Sequence, residues 1–229
     1  MINELEQNFH RIQQRISDAC HEAGRDVEEV QLVAVSKTKP SLLISEAANL
    51  GMKHFGENYL QEATGKIHGL QPKPGDWHYI GKVQSNKTRD IAEHFDWVHT
   101  VDREKIALRL NAHRTDRPKL NVLVQVNVDN DPDKGGCSGD QALTLCRAIC
   151  DLPNLRLRGL MTILSQETNP REGYESVAQL HREIGTQLAE PHRDSWDALS
   201  MGMSRDLEDA IFAGATLIRV GTALFGERR

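Results

Sequence analysis

Positive charge is not in excess over this chain. Twenty-eight lysines and arginines stand against 33 aspartates and glutamates, for a net charge of -5, so the basic stripe that marks a nucleic-acid surface is missing. No apolar run approaches the roughly 18–20 residues that a membrane helix requires. The opening stretch, MINELEQNFHRIQQRISDAC, is amphipathic and mixed in charge, without the apolar centre of a secretory signal. Cysteine is scarce, with four residues at positions 20, 137, 146 and 150. Cys146 and Cys150 lie four apart, and no second pair accompanies them as a zinc site would need. The expectation is packed, reduced thiols in a cytoplasmic protein. No low-complexity tract or long linker divides the 229 residues, so one domain over 1–229 is expected. The nucleotide fingerprint G-x-G-x-x-G does not occur. No long apolar surface is evident, so a monomer is expected.

What is present is alternation. Short apolar runs suited to buried strands occur at 31–36, 53–56, 77–80, 96–101, 120–128, 155–163, 196–201 and 215–220. Helical patterns separate them at 41–50, 57–68, 84–94, 103–114, 139–151, 171–190 and 204–213, after an opening helix over 3–23. Strands that alternate with helices form parallel βαβ units, and eight of each describe a closed (β/α)₈ TIM barrel. An open doubly wound sheet is the alternative. The sequence ends shortly after the eighth strand pattern, so the opening helix is expected to cover the face that a last helix would otherwise occupy.

In such a barrel, chemistry gathers at the C-terminal ends of the strands. The first strand, LVAVS, runs into Lys37. A lysine amine against an apolar wall is biased towards its neutral, nucleophilic form and can condense with an aldehyde. The seventh strand ends in LSMGMS, which offers Ser200 and Ser204, the latter placed to cap a helix near 204. The eighth ends in VGT, which offers Gly221 and Thr222. Barrels often hold phosphate at these last two loops. Asp206 and Glu208 lie in the same helix start and must face away for that role. Strand alternation turns Leu217, Arg219 and Gly221 to one face and Ile218 and Val220 to the other, so Arg219 points into the barrel. There it either pairs with an internal carboxylate, Glu57 or Asp96, or faces the ring nitrogen of a cofactor. A lysine for an aldehyde, turns for a phosphate and an arginine for a ring nitrogen together describe a site for the vitamin B6 cofactor pyridoxal 5'-phosphate, PLP.

Seven ordered segments carry a resemblance to a known family: AVSKTKP (34–40), FGENYLQE (55–62), WHYIGKVQSNK (77–87), VNVDNDPDKGG (126–136), LRGLMTI (157–163), LSMGMSRDLEDAI (199–211) and IRVGTALFG (218–226). They span essentially the whole chain and resemble the PLP homeostasis proteins of the YggS/PROSC type. The resemblance implies a fold like the barrel domain of alanine racemase, without its C-terminal β-domain. It implies that Lys37 carries PLP as a Schiff base and that Arg219 faces the pyridine nitrogen. Ser200, Ser204, Gly221 and Thr222 then fall at the phosphate cradle, and Asn58 near the cofactor ring.

Three activities fit such a site: PLP carriage and buffering, amino-acid racemisation, and direct condensation of Lys37 with a carbonyl substrate as in a barrel aldolase. Racemisation needs proton donors on both faces of a planar intermediate. By the resemblance, alanine racemase takes its second base, a tyrosine, from the additional domain. The three tyrosines here are Tyr59, Tyr79 and Tyr174, and only Tyr59 follows a strand end. The expectation is a carrier of PLP without strong catalysis of its own, with PLP-dependent apo-enzymes as recipients and neither nucleic acid nor membrane as partner. Lys66, Lys82, Lys87 and Lys134 either form a secondary aldehyde site or cover the surface, and surface cover is the safer reading.

Overall fold

The computed structural model describes residues 4–129 and 131–227. Residue 3, where the opening helix was expected to begin, lies outside them. In chain order the elements are α1 (Glu4–Glu22), β1 (Gln31–Val35), α2 (Ser41–Asn49), β2 (His54–Glu57), α3 (Leu60–Gly69), β3 (Asp76–Tyr79), α4 (Thr88–His94) and β4 (Trp97–Val101). There follow α5 (Glu104–His113), β5 (Leu120–Gln125), α6 (Gly139–Cys150), β6 (Leu155–Met161), α7 (Pro170–Gln187), α8 (Glu190–Arg193), β7 (Ala198–Ser200), α9 (Leu207–Phe212), β8 (Leu217–Val220) and α10 (Thr222–Phe225). The eight strands pair in parallel in sequence order and close into a barrel through β1 and β8. The open-sheet alternative is thereby set aside.

Alternation along the strands makes two apolar regions. Val33, Trp97, Leu123, Met161, Ala198 and Leu217 form a cluster inside the barrel. The opposite faces, with Ala34, Phe55, Val98, Val122, Ile218 and Val220, join the larger core between strands and helices. Each fully buried aliphatic or aromatic side chain there contributes roughly 1.5–3 kcal/mol.

The opening helix behaves as its pattern predicts. Leu5, Phe9, Ile12, Ile16, Ala19 and Cys20 make one buried stripe, and α1 packs against α9 and α10. Polar ties fix it there: Arg15 pairs with Glu208 at 2.7 Å, and Asn8 donates to the carbonyl of Leu224 at 3.1 Å. One turn of helix, α10, follows β8, so α1 shares that face with it rather than covering it alone.

Several boundaries differ from the sequence expectation. β5 stops at Gln125 rather than 128 because the chain turns back, the amide of Asn127 bonding the carbonyl of Cys137 at 2.9 Å. α3 begins at Leu60, not 57, because Glu57 is the last residue of β2. All four cysteines are free, with Cys20, Cys137 and Cys146 buried and Cys150 half-buried. Burial pushes their thiols up, Cys137 to about 11.

Candidate functional site

A cavity of about 240 Å³ opens at the C-terminal ends of the strands. Its lining includes Lys37, Asn58, Ser204, Arg219, Gly221 and Thr222, six of the seven side chains or turns that the sequence put forward. The loops after β1, β2, β7 and β8 bring them together across more than 180 positions of sequence.

Lys37 follows β1 with one residue, Ser36, between. It is half-buried, and among the described residues no hydrogen bond or ion pair engages its amine. The backbone around it is held from below. Ser36 is fully buried, donates its hydroxyl to Oε1 of Glu57 at 2.7 Å, and accepts from Nζ of Lys66 through its carbonyl at 2.8 Å. Nζ of Lys66 also reaches Oε1 of Glu57 at 2.8 Å and Oε1 of Glu62 at 2.5 Å. Glu62 in turn accepts from the amide of Thr38. Thr38 adopts φ +64, a left-handed conformation costly for a β-branched residue. Lys66, expected at the surface, is therefore a buried strut. Burial raises the pKa of Glu57, against the opposing pull of Lys66.

Asn58 stands at the end of β2. Its Oδ1 is buried without a hydrogen-bond partner among the described residues. The turn after β3 approaches it so closely that only a glycine fits: a Cβ at Gly81 would lie 2.1 Å from the carbonyl oxygen of Asn58.

Arg219 lies inside the barrel, as alternation required, and is 4% exposed. Neither expected carboxylate is its partner: Glu57 is engaged by Lys66, and Asp96 pairs with Lys73 at 2.6 Å. Instead Nη1 donates to Oγ of Ser200 at 2.6 Å and Nη2 to the carbonyl of Thr162 at 2.8 Å. Burial pushes its pKa down to about 10, partly offset by Tyr174 and Asp206, which leaves it charged at neutral pH. Ser200 is fully buried behind Arg219 and is absent from the cavity wall.

Ser204 lines the cavity from a turn, not from a helix cap. α9 begins only at Leu207, preceded by Asp206, because Oδ1 of Asp206 accepts from the amide of Met203 at 2.6 Å and folds the intervening turn. Asp206 and Glu208 are turned to other work: Asp206 closes that turn, and Glu208 is held by Arg15 of α1. Sequence reasoning missed the apolar rim, where Ile163 and Met203 flank the opening. It also missed Lys39, whose amine ties the loop after β1 to the carbonyls of Gly226 and Glu227. None of Tyr59, Tyr79 and Tyr174 lines the cavity.

The sequence pattern of the alanine racemase N-terminal domain family matches residues 2–229. The chain is 49% identical over 228 residues to the pyridoxal phosphate homeostasis protein of Pseudomonas aeruginosa, covering 99% of this chain and 97% of that one. It is 44% identical over 232 residues to the protein of the same name from Escherichia coli K12, covering 99% and 98%. The structure of PipY from Synechococcus elongatus with PLP bound superimposes with a TM-score of 0.80 at 36% identity, over 94% of this chain and 100% of that one. Barrel, cavity and sequence agree: the chain belongs to the pyridoxal phosphate homeostasis proteins, within the alanine racemase N-terminal domain family.

Proposed function

We propose that this chain binds PLP in the cavity at the end of β1 and carries or buffers it for intracellular PLP and amino-acid homeostasis, without strong catalysis of its own. The reading rests on one observation. An unengaged lysine amine, an orphaned amide oxygen and a charged arginine with no carboxylate partner share one small cavity. These groups fit PLP, whose aldehyde, ring and phosphate need an amine, polar ring contacts and hydrogen-bond donors. PLP supplies an electrophilic carbonyl carbon and an electron-withdrawing ring when it is bound. Lys37 offers the amine, Arg219 a fixed positive charge towards the ring nitrogen, and Asn58 an acceptor beside the ring. Ser204, Gly221 and Thr222 offer the phosphate its cradle, with Ser200 acting behind Arg219. A cation beside the ring nitrogen disfavours its protonation and so weakens the ring as an electron sink. With no tyrosine on the wall, the second acid–base group that racemisation requires has no candidate of that type among the described residues.

The carrier reading places the protein among reduced thiols in the cytoplasm, as a monomer that hands PLP to apo-enzymes. Among the described residues, no helix is long and apolar enough to cross a membrane.

The test is a visible spectrum of the PLP-loaded protein, then borohydride reduction and peptide mass spectrometry. A cofactor band that Lys37→Ala abolishes, and a pyridoxyl mass on Lys37, support the reading. That mass on another residue, or on none, overturns it. Sustained α-proton exchange of a single-enantiomer amino acid in deuterated water would replace the carrier with a racemase.

A further inference from the structure

Inside the barrel, three histidines that the binding site leaves unexplained form a continuous column that ends on Ser200. His54 begins β2, and its Nδ1 lies 3.1 Å from Nε2 of His78 on β3. Nδ1 of His78 lies 2.8 Å from Nε2 of His99 on β4. Nδ1 of His99 lies 2.8 Å from Oγ of Ser200 on β7, the oxygen that Arg219 also uses. His78, His99 and Ser200 are fully buried, and Trp97 stacks on the ring of His78 at 5.3 Å and 11°, fixing its plane.

The direction of this column follows from proton bookkeeping. A serine hydroxyl has one hydrogen and two lone pairs, whereas a guanidinium can only donate. Arg219 therefore takes one lone pair of Ser200. If His99 donated to the other, the hydroxyl hydrogen would be left buried without an acceptor, since Oγ has no third partner among the described residues. The hydroxyl must donate to Nδ1 of His99. A neutral His99 then carries its hydrogen on Nε2 and gives it to Nδ1 of His78, and a neutral His78 does the same towards His54. Neutrality is what the surroundings demand. Among the described residues no carboxylate reaches His78 or His99, and burial holds both rings well below the usual histidine range. Asp76 faces His54, but at 3.8 Å its oxygen is too far for a hydrogen bond.

We propose that His99, His78 and His54 are positioning residues: a one-way column of Nε2–H tautomers that keeps the Ser200 hydroxyl turned from Arg219 and so fixes the guanidinium where it faces the cofactor. The role towards the cofactor rests on the proposed PLP reading; the tautomer order does not. The arginine is thus aimed by neutral groups strung across the barrel. A carboxylate in the same place would cancel its charge, whereas Ser200 and the carbonyl of Thr162 hold it and leave the charge available to a ligand.

Long-range ¹H–¹⁵N correlation of the histidine rings in the PLP-free protein at neutral pH tests the column directly, with assignments from single substitutions. His54, His78 and His99 should all be neutral Nε2–H tautomers. An Nδ1–H tautomer or a charged ring at any of the three overturns the proposal. In the second arm, His99→Leu should weaken PLP binding about tenfold and shift the absorption band of bound PLP, while His99→Asn, which keeps an acceptor near Ser200, restores both. An unshifted band in a folded His99→Leu also overturns it. If the wild-type protein fails to bind PLP while the three tautomers are as stated, the binding reading falls and the column stands.

Discussion

Glu57 and Lys66 form an ion pair at 2.8 Å in which Glu57 is fully buried and the Lys66 side chain is 7% exposed. The pair sits directly beneath the backbone that carries Lys37, because Ser36 bonds both members. Removing one partner from a buried pair leaves an uncompensated charge, which costs about 3–5 kcal/mol. Lys66→Met should therefore lower unfolding free energy by about that amount at pH 7. Glu57→Gln combined with Lys66→Met should recover a large part of it, since the stranded carboxylate is gone. Denaturant unfolding of the two variants checks this, and equal losses in both would show that packing rather than charge is at stake.

Asn58 separates stability from binding. Its Oδ1 has no partner among the described residues, so Asn58→Ala should leave the melting temperature of the PLP-free protein nearly unchanged. If that oxygen serves the ligand, the same substitution should raise the dissociation constant for PLP about tenfold, or about 1.4 kcal/mol. Thermal melts and a spectrophotometric titration on one preparation decide it.

Buried neutral histidines make the fold sensitive to acid. Burial lowers the pKa of His181 from 6.5 to about 4, and those of His78 and His99 well below 6.5. In each the folded value lies below the unfolded one, so the unfolded chain binds protons first. Their contribution is full above about pH 6.5 and is lost as pH falls towards the folded values. For His181, discounted for its partial exposure, the loss is roughly 2–3 kcal/mol by pH 4. Unfolding free energies at pH 7.5, 6 and 5 should fall in that order, and a flat profile over this range would contradict the assignment.

Gly81 tests how tightly the site is assembled. With a Cβ placed 2.1 Å from the carbonyl oxygen of Asn58, Gly81→Ala must push the ends of β2 and β3 apart. A loss of about 2–4 kcal/mol with a marked loss of PLP binding is expected. Gly65, on α3 with nothing within 4 Å of its added Cβ, is the control, and Gly65→Ala should be neutral or stabilising.

Much of this molecule was legible from residue patterns. Alternation of apolar runs with helical stretches gave the eight strands and the closed barrel, because period 2 and period 3.6 are local properties. The same alternation put Arg219 inside, and strand ends picked out Lys37, Gly221 and Thr222. Less was legible where one side chain's role depends on another far away. Ser204 looked like a helix cap until Asp206 folded the turn before α9. Lys66 looked like surface cover until Glu57, nine residues earlier, met it on the inside.

The sequence by itself determined which face each residue presents and which side chains stand at strand ends, since those follow from backbone geometry within a few positions. Only the tertiary structure decided what shares a layer. His54, His78, His99, Ser200 and Arg219 come from five strands. Whether their rings and hydroxyl line up depends on the tilt and stagger with which the barrel closes. That stagger also set a serine and a carbonyl, rather than Glu57 or Asp96, against Arg219, whose guanidinium lines the cavity.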